Sequence, residues 1–418
     1  MSNILPISFA AMSFMQGVAT THPTALDSAV QSASPTTPLV FEAETDRNYL
    51  PYTCVALYTL TKHLTADSHV IMVHDATIGD EEKALIQQAL VQKDDARHTV
   101  EFRLIDTIIE ALPRDFLPTW ENIKKVINNE FIAVRALFPA IFADLPHLTH
   151  IDMDMVFQAD LGPLLIACQE LDQPLVSANL ALYCQMSRIC QYSMTEFFKK
   201  ETIYGQSCYC VSGGLMVFNM DKWRAGFSSS VQSPTQTESK SLSEEVLRWL
   251  KENCNAAQGN LKGQNSFLFS EKSNTYNYCE TEEELLGMMI YPWMSREVFY
   301  IHPFYNITPK WLEEKALISI KIAEISEGNG QMSIVSLLAG NGVYVWHWDH
   351  CQKPLRRCTR IDAHTYDVGV PEQAYFANLG EFIQRLAKDD RARLEMFTKL
   401  VHDQSEENSF AREWLANH

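Results

Sequence analysis

A basic surface is what this chain most plainly lacks. Its 418 residues hold 34 Lys and Arg against 52 Asp and Glu, a formal charge of −18 at pH 7. Gripping a nucleic acid backbone requires the opposite balance, so nucleic acid is not expected among its partners. An anionic ligand would need a local cation, either a metal ion or a placed Lys or Arg. Cysteine pairs at metal-binding spacing are missing too: the ten cysteines include no CxxC, which argues against a zinc ribbon. Their scatter through apolar or mixed segments forms no disulfide framework either, and points to buried, reduced thiols in a cytoplasmic setting. Long apolar runs are absent apart from residues 4–19. That run is short for a membrane span, and no basic residues precede it as a secretory signal would require. Residues 1–37 are therefore expected to form a flexible leader, with no transmembrane segment in the chain. Neither the leader nor the C-terminal tail shows a recognisable address, so delivery out of the producing cell stays open.

What is present is globular material, 46% hydrophobic and 21% charged, enough for one large domain with an appendage or for two medium ones. Residues 32–38 (SASPTTP) read as a linker. Beyond it Leu39-Val40-Phe41 predicts a strand, 52–63 a helix, 70–73 a strand, 80–91 a helix and 99–105 a strand. This alternation indicates an α/β fold with a parallel, doubly wound sheet and ligands at the carboxyl ends of its strands. Further on, 133–142 predicts a helix, 148–152 a strand, and 175–178 and 215–219 two more strands. Residues 228–240 read as a polar loop before a helix at 243–252. Residues 375–400 have helical periodicity and mixed charge, so 356–418 is expected to be a small helical extension of a domain spanning 38–355.

The stretch LTHIDMDMVFQADLGPLL is the most informative. A strand runs into Asp152, and Asp154 follows two residues later. On a straight strand those positions share a face, so both carboxylates can address one ion. Hard divalent cations take oxygen ligands, and Mg²⁺ or Mn²⁺ commonly shares them with substrate phosphates. The bland alternative is a solvated Asp-x-Asp turn. Another is a phosphoaspartyl motif, compatible with Val156, although that motif ends the first strand of its domain and three strands precede this one.

Nearly two hundred residues later comes VYVWHWDHCQKPL, where a strand at 343–346 delivers His347 and Lys353-Pro354 follows. An imidazole can complete a metal's coordination, and a Lys ammonium is a suitable point charge for diphosphate oxygens. The rival role for His347 is a packed core histidine beside Trp346 and Trp348.

These pieces together resemble the family-8 glycosyltransferases, retaining enzymes of the GT-A fold, over about residues 39–355. Asp46-Arg47-Asn48-Tyr49 resembles the family's nucleotide-binding turn, with Arg47 in place of its second acid. Arg135 resembles the Arg of the helix before the DxD strand, and Asp152-Met153-Asp154 matches the DxD. Ser212-Gly213-Gly214 with LMVFNMDKWR resembles the family's Asn-x-Gly, apolar strand, Asn and Trp-Arg run. His347 through Lys353-Pro354 matches its His…Lys-Pro spacing. Ser212 stands where the family has Asn, Gln264-Asn265 where it has Asp-Gln, and His350 where it has a small Gly.

The resemblance implies a GT-A domain, Rossmann-like with a mixed, mainly parallel sheet. It implies Mn²⁺ or Mg²⁺ held by Asp152, Asp154 and His347, and a UDP-sugar whose hexose moves to an unidentified acceptor with retention. Asp46, Asn48, Tyr49, Arg135, Ser212, Gly213 and Lys353 are then expected to bind the nucleotide-sugar, and Gln264 and Asn265 to lie at the reacting sugar beside Asp152 and Asp154. The amides at 264 and 265 keep open a nucleotide-sugar-binding protein without turnover. A different metal-dependent phosphoryl-transfer enzyme is the third reading.

Overall fold

The computed structural model describes residues 38–90, 96–112, 130–135, 138–142, 144–170, 175–179, 211–225, 298–301, 345–348, 353–356, 370–406 and 408–417. It begins with the expected alternation. Strand β1 (Leu39–Thr45) leads to helix α1 (Leu50–His63), β2 (Ser68–His74), α2 (Asp80–Leu90) and β3 (His98–Leu104). β1 pairs in parallel with β2 from Leu39↔Ser68 to Thr45↔His74, and β2 with β3 from Ser68↔His98 to His74↔Leu104. Parallel strands covered on both faces need apolar runs, and the VIMV segment of β2 is buried throughout.

The chain then crosses to the other side of β1. Two short helices, α4 (Glu130–Arg135) and α5 (Phe138–Ile141), precede β4 (His147–Ile151), after a first short one, α3 (Ile105–Glu110). The single helix expected over 133–142 is thus two pieces. Pro139 has no N–H to give the carbonyl of Arg135 four residues back. β4 pairs in parallel with β1 (Phe41↔Thr149, Glu42↔His150). Next come β5 (Met155–Phe157), α6 (Gly162–Glu170), β6 (Leu175–Asn179), β7 (Val211–Asn219), α7 (Met220–Ala225), β8 (Val298–Ile301) and β9 (Val345–His347).

Among the described residues seven strands form one sheet, in the order β3-β2-β1-β4-β7-β6-β8. β7 runs antiparallel to both β4 and β6, and β8 parallel to β6. This is the expected mixed, mainly parallel sheet flanked by helices. Because β2 lies on one side of β1 and β4 on the other, the strand order reverses between the carboxyl ends of β1 and β4, the place where such sheets bind ligands. β5 and β9 form a separate antiparallel pair.

The sheet's two faces differ. Phe41, Ala43, Val70, Met72, Ile151 and Val217 join the main apolar core under α1. On the opposite face Glu42, Glu44 and His150 are buried beside Phe138, whose ring lies 5.8 Å from both His150 and Phe218. α1 is buried almost all round, which requires a second covering layer. The C-terminal helices α8 (Val370–Asp389), α9 (Arg391–Ser405) and α10 (Ser409–Asn417) supply it. Tyr375 packs on Tyr52 at 5.9 Å, and Phe382 on Tyr58 at 5.8 Å. No helix among the described residues is long and apolar enough to cross a membrane.

Candidate functional site

Asp152 and Asp154 do not lie on a straight strand, contrary to the sequence expectation. β4 ends at Ile151, and the two aspartates occupy the turn between β4 and β5. Two backbone hydrogen bonds shape that turn: Asp152 N–H donates to the Gly214 carbonyl (3.0 Å), and Trp348 N–H donates to the Asp154 carbonyl (3.1 Å). The carboxylates converge because the turn is clamped between β7 and the end of β9. β9 is itself placed by pairing with β5, Met155 opposite His347 and Phe157 opposite Val345.

His347 is thereby brought to the aspartates. Its Nε2 lies 3.3 Å from Asp152 Oδ2 and 3.2 Å from Asp154 Oδ1, and one ligand atom from each of the three residues falls within 4.8 Å of the others. The ring is buried, as a core histidine would be, yet its nitrogen faces both acids. Among the described residues Asp154 Oδ1 is buried without a hydrogen-bond partner despite its nearness to the imidazole. The nitrogen and that oxygen thus sit side by side rather than donor to acceptor. Two carboxylates and an imidazole, one oxygen left over, suit a Mn²⁺ or Mg²⁺ ion.

The imidazole needs room that only glycine leaves. A Cβ built on Gly214 would fall 2.5 Å from His347 Cε1 and 2.7 Å from Nδ1 and from Met155 Cε. Adjacent Gly213 is buried in the same strand. The side chain of Ser212, and Gln264 and Asn265 altogether, lie outside the described residues.

Behind the cluster lies a layer of paired charge. Arg135 donates from Nε to both oxygens of Glu44 (3.1 Å each), and from Nη2 to Glu44 Oε2 (2.7 Å) and Asp152 Oδ1 (2.8 Å). His150 sits between Glu42 Oε2 at Nδ1 (2.5 Å) and Asp152 Oδ1 at Nε2 (3.3 Å). Burial pulls the His150 imidazole down, as does Arg135, but the carboxylates on its two nitrogens lift it to about 9. Burial raises Glu42 to about 7, with His150 opposing. Burial also opposes ionisation of Asp152, yet Arg135 and hydrogen bonds from His150 and His347 hold its carboxyl well below the usual range. None of Glu42, Glu44 and His150 is singled out by the sequence reading, although two acids alternating with Phe41 and Ala43 in a strand are a visible oddity.

Lys353 pairs with Asp154 Oδ2, donates to the Trp348 carbonyl (2.8 Å) and lies 5.2 Å from the centre of the Tyr49 ring. Burial lowers its ammonium to about 8. Tyr49 belongs to the turn after β1, which Asp46 closes by accepting the Tyr49 N–H at 2.8 Å. The Asn48 carbonyl accepts from Gln404, and Arg47 N–H donates to Thr77 Oγ1 at 3.0 Å. Burial and then Asp152 push the Tyr49 phenol up to about 12, so it stays a neutral ring. Asp46, Asn48, Tyr49, Arg135 and Lys353 thus surround the cluster or adjoin groups that do.

Fold and cluster together define a mixed α/β protein with acids, an imidazole and a lysine gathered where the order of its parallel strands reverses. No family profile and no curated protein matches the chain. Solved structures do. It is similar to a galactosyltransferase, LgtC, in complex with donor and acceptor sugar analogs, with 14% identity over 82% of this chain and 96% of that one and a TM-score of 0.48. It is similar also to mouse xyloside xylosyltransferase 1, with 12% identity over 77% and 100% of the two chains and a TM-score of 0.47. A third is the bifunctional glycosyltransferase WbbM, with 11% identity over 85% of this chain and 52% of that one and a TM-score of 0.46.

Proposed function

We propose that this chain is a metal-dependent, retaining glycosyltransferase of the GT-A type, moving a hexose from a UDP-sugar to an acceptor. The observation that carries the reading is the meeting of Asp152, Asp154 and His347 at one point. The ordered family-8 motifs of the sequence support it. In this reading residues 38–355 form the transferase domain and 356–418 extend it, in the cytoplasm, where the free, buried Cys54 and Cys168 would stay reduced.

Asp152 Oδ2, Asp154 Oδ1 and His347 Nε2 would hold Mn²⁺ or Mg²⁺. Bound there, the ion supplies Lewis-acid neutralisation of the diphosphate leaving group. The chain's own charges prepare for it. Glu42, Glu44, Asp152 and Asp154 are set against Arg135, His150 and Lys353, which leaves negative charge for a cation to offset. Lys353 is held by the Trp348 carbonyl beside Asp154, where its ammonium would stabilise charge growing on the departing diphosphate. Asp46 and Tyr49 would contact the nucleoside from the turn after β1, and the neutral phenol adds no charge there. Gly213 and Ser212 would approach the sugar from β7, and Gln264 and Asn265 would line the reacting sugar. Retention, the hexose and the UDP donor rest on the family resemblance.

A panel of UDP-sugars assayed with and without Mn²⁺ tests this. Transfer that needs the ion, and that falls by about a hundredfold or more in Asp154→Ala, is the expected result. Calorimetric binding of UDP and Mn²⁺ without transfer would select a binding protein instead. Release of phosphate or pyrophosphate without sugar transfer would select a phosphoryl-transfer enzyme.

A further inference from the structure

A carboxylate has two oxygens, and a ligand that is to hold an ion in one geometry must not exchange them. At Asp152 the two are treated differently. Oδ1 accepts from Arg135 Nη2 (2.8 Å) and faces His150 Nε2 (3.3 Å), whereas Oδ2 faces His347 Nε2 (3.3 Å) and the point where the ligand atoms meet. Two donors on Oδ1 oppose rotation of the group and leave Oδ2 for the ion.

We propose that His150, backed by Glu42, is a positioning residue that fixes Asp152 as a one-oxygen ligand; this rests on the metal site proposed above. The backing is built into the strand register, since Glu42 and His150 are direct partners across the parallel β1–β4 pair. His150 is fully buried, its ring lies 5.8 Å from that of Phe138, and its Nδ1 is 2.5 Å from Glu42 Oε2. Such an arrangement gives the imidazole one orientation, with Nε2 toward Asp152. Carboxylates that ligate metals are commonly fixed by hydrogen bonds from outer residues, and losing such a partner weakens metal binding by about 10–100-fold.

A purely structural explanation fares worse. Apolar side chains would fill the same buried positions without the desolvation cost of an acid and an imidazole. Glu42 Oε1 is buried with no hydrogen-bond partner among the described residues. Nor do Glu42, Glu44 and His150 make a second ion site, close as they are. Arg135 occupies both oxygens of Glu44, and carboxylates occupy both nitrogens of His150.

The test is Mn²⁺ binding, followed by paramagnetic resonance in the full chain, for the wild type and for His150→Phe, His150→Gln, Glu42→Gln and Asp154→Asn, with a thermal melt of each. His150→Phe is expected to raise the Kd for Mn²⁺ by about 10–100-fold. His150→Gln, whose amide N–H can still donate to Oδ1, is expected to recover most of that loss. Glu42→Gln, still an acceptor for Nδ1 but uncharged, is expected to weaken binding severalfold. A Kd for His150→Phe within twofold of the wild type, or a Gln variant as weak as the Phe variant, overturns the positioning role while leaving the metal site standing. If the Phe variant does not fold, an unchanged Kd in Glu42→Gln overturns it equally. A wild type that binds no Mn²⁺, or an Asp154→Asn chain that binds it as well as the wild type, removes the metal site and this proposal with it.

Discussion

Gly214 shows how closely the site is packed at the level of single atoms. Its missing side chain is the space the His347 ring occupies, with a built Cβ only 2.5 Å from Cε1. Gly214→Ala must therefore move either the ring or β7, an overpacking effect of about 1–3 kcal/mol. The expected outcome is a chain that still folds but binds Mn²⁺ more than tenfold more weakly by calorimetry. An alanine variant with unchanged affinity would disprove the steric account. The candidate ligands were legible in the sequence because Asp152, Asp154 and His347 are the right chemical types at a recognisable spacing. Glu42 and His150 were not, because a charge buried inside a strand gains meaning only when the register puts a partner opposite it. Ser212-Gly213-Gly214 read as one motif with Gly213 expected at the nucleotide-sugar, and only the three-dimensional contact shows that Gly214 makes room for the His347 ring.

Elements with strong periodicity were readable, and the parallel β1–β3 unit came out with boundaries within a few residues. A strand was expected at 343–346, where β9 covers Val345–His347, but three-residue β5 was not expected and nothing in the sequence pairs the two. Yet that pair is what places His347 on Met155 and hence beside the aspartates. The division of the expected helix into α4 and α5 goes with Pro139, which cannot serve the Arg135 carbonyl, a proline effect that the helical spacing concealed. Helix α9 offers a measurement at this scale. Asp390 caps it, accepting the Arg393 N–H at 3.1 Å. Removing an N-cap of this kind costs about 1 kcal/mol, so Asp390→Ala should lower the unfolding free energy by that amount, read as a lower urea midpoint with an unaltered slope. A loss below a few tenths would mean that the cap is not holding the helix.

Across the whole molecule the C-terminal helices share the core of the sheet domain. Tyr375 lies between Tyr52 of α1, at 5.9 Å, and Trp348, which follows His347, at 5.8 Å. Gln404 reaches the Asn48 carbonyl, and Asn408 donates to the Pro354 carbonyl at 2.8 Å. One cooperative unfolding transition is expected, reported alike by helix and tyrosine signals. Tyr375→Ala should destabilise it by about 3–5 kcal/mol, the range for losing a buried aromatic ring. Separate melting of the tail in calorimetry would contradict a common core. Helical periodicity at 375–400 could foretell the helices but not what they cover, because an amphipathic face does not name its partner.

The β5–β9 pair also sets a schedule for synthesis. Its two halves are roughly two hundred residues apart along the chain, so the loop that joins them must close late. While the ribosome is still adding residues beyond the first parallel unit, the acidic turn waits without its imidazole. A nascent polypeptide cannot bring its two aspartates and imidazole together until residues 345–347 have been made.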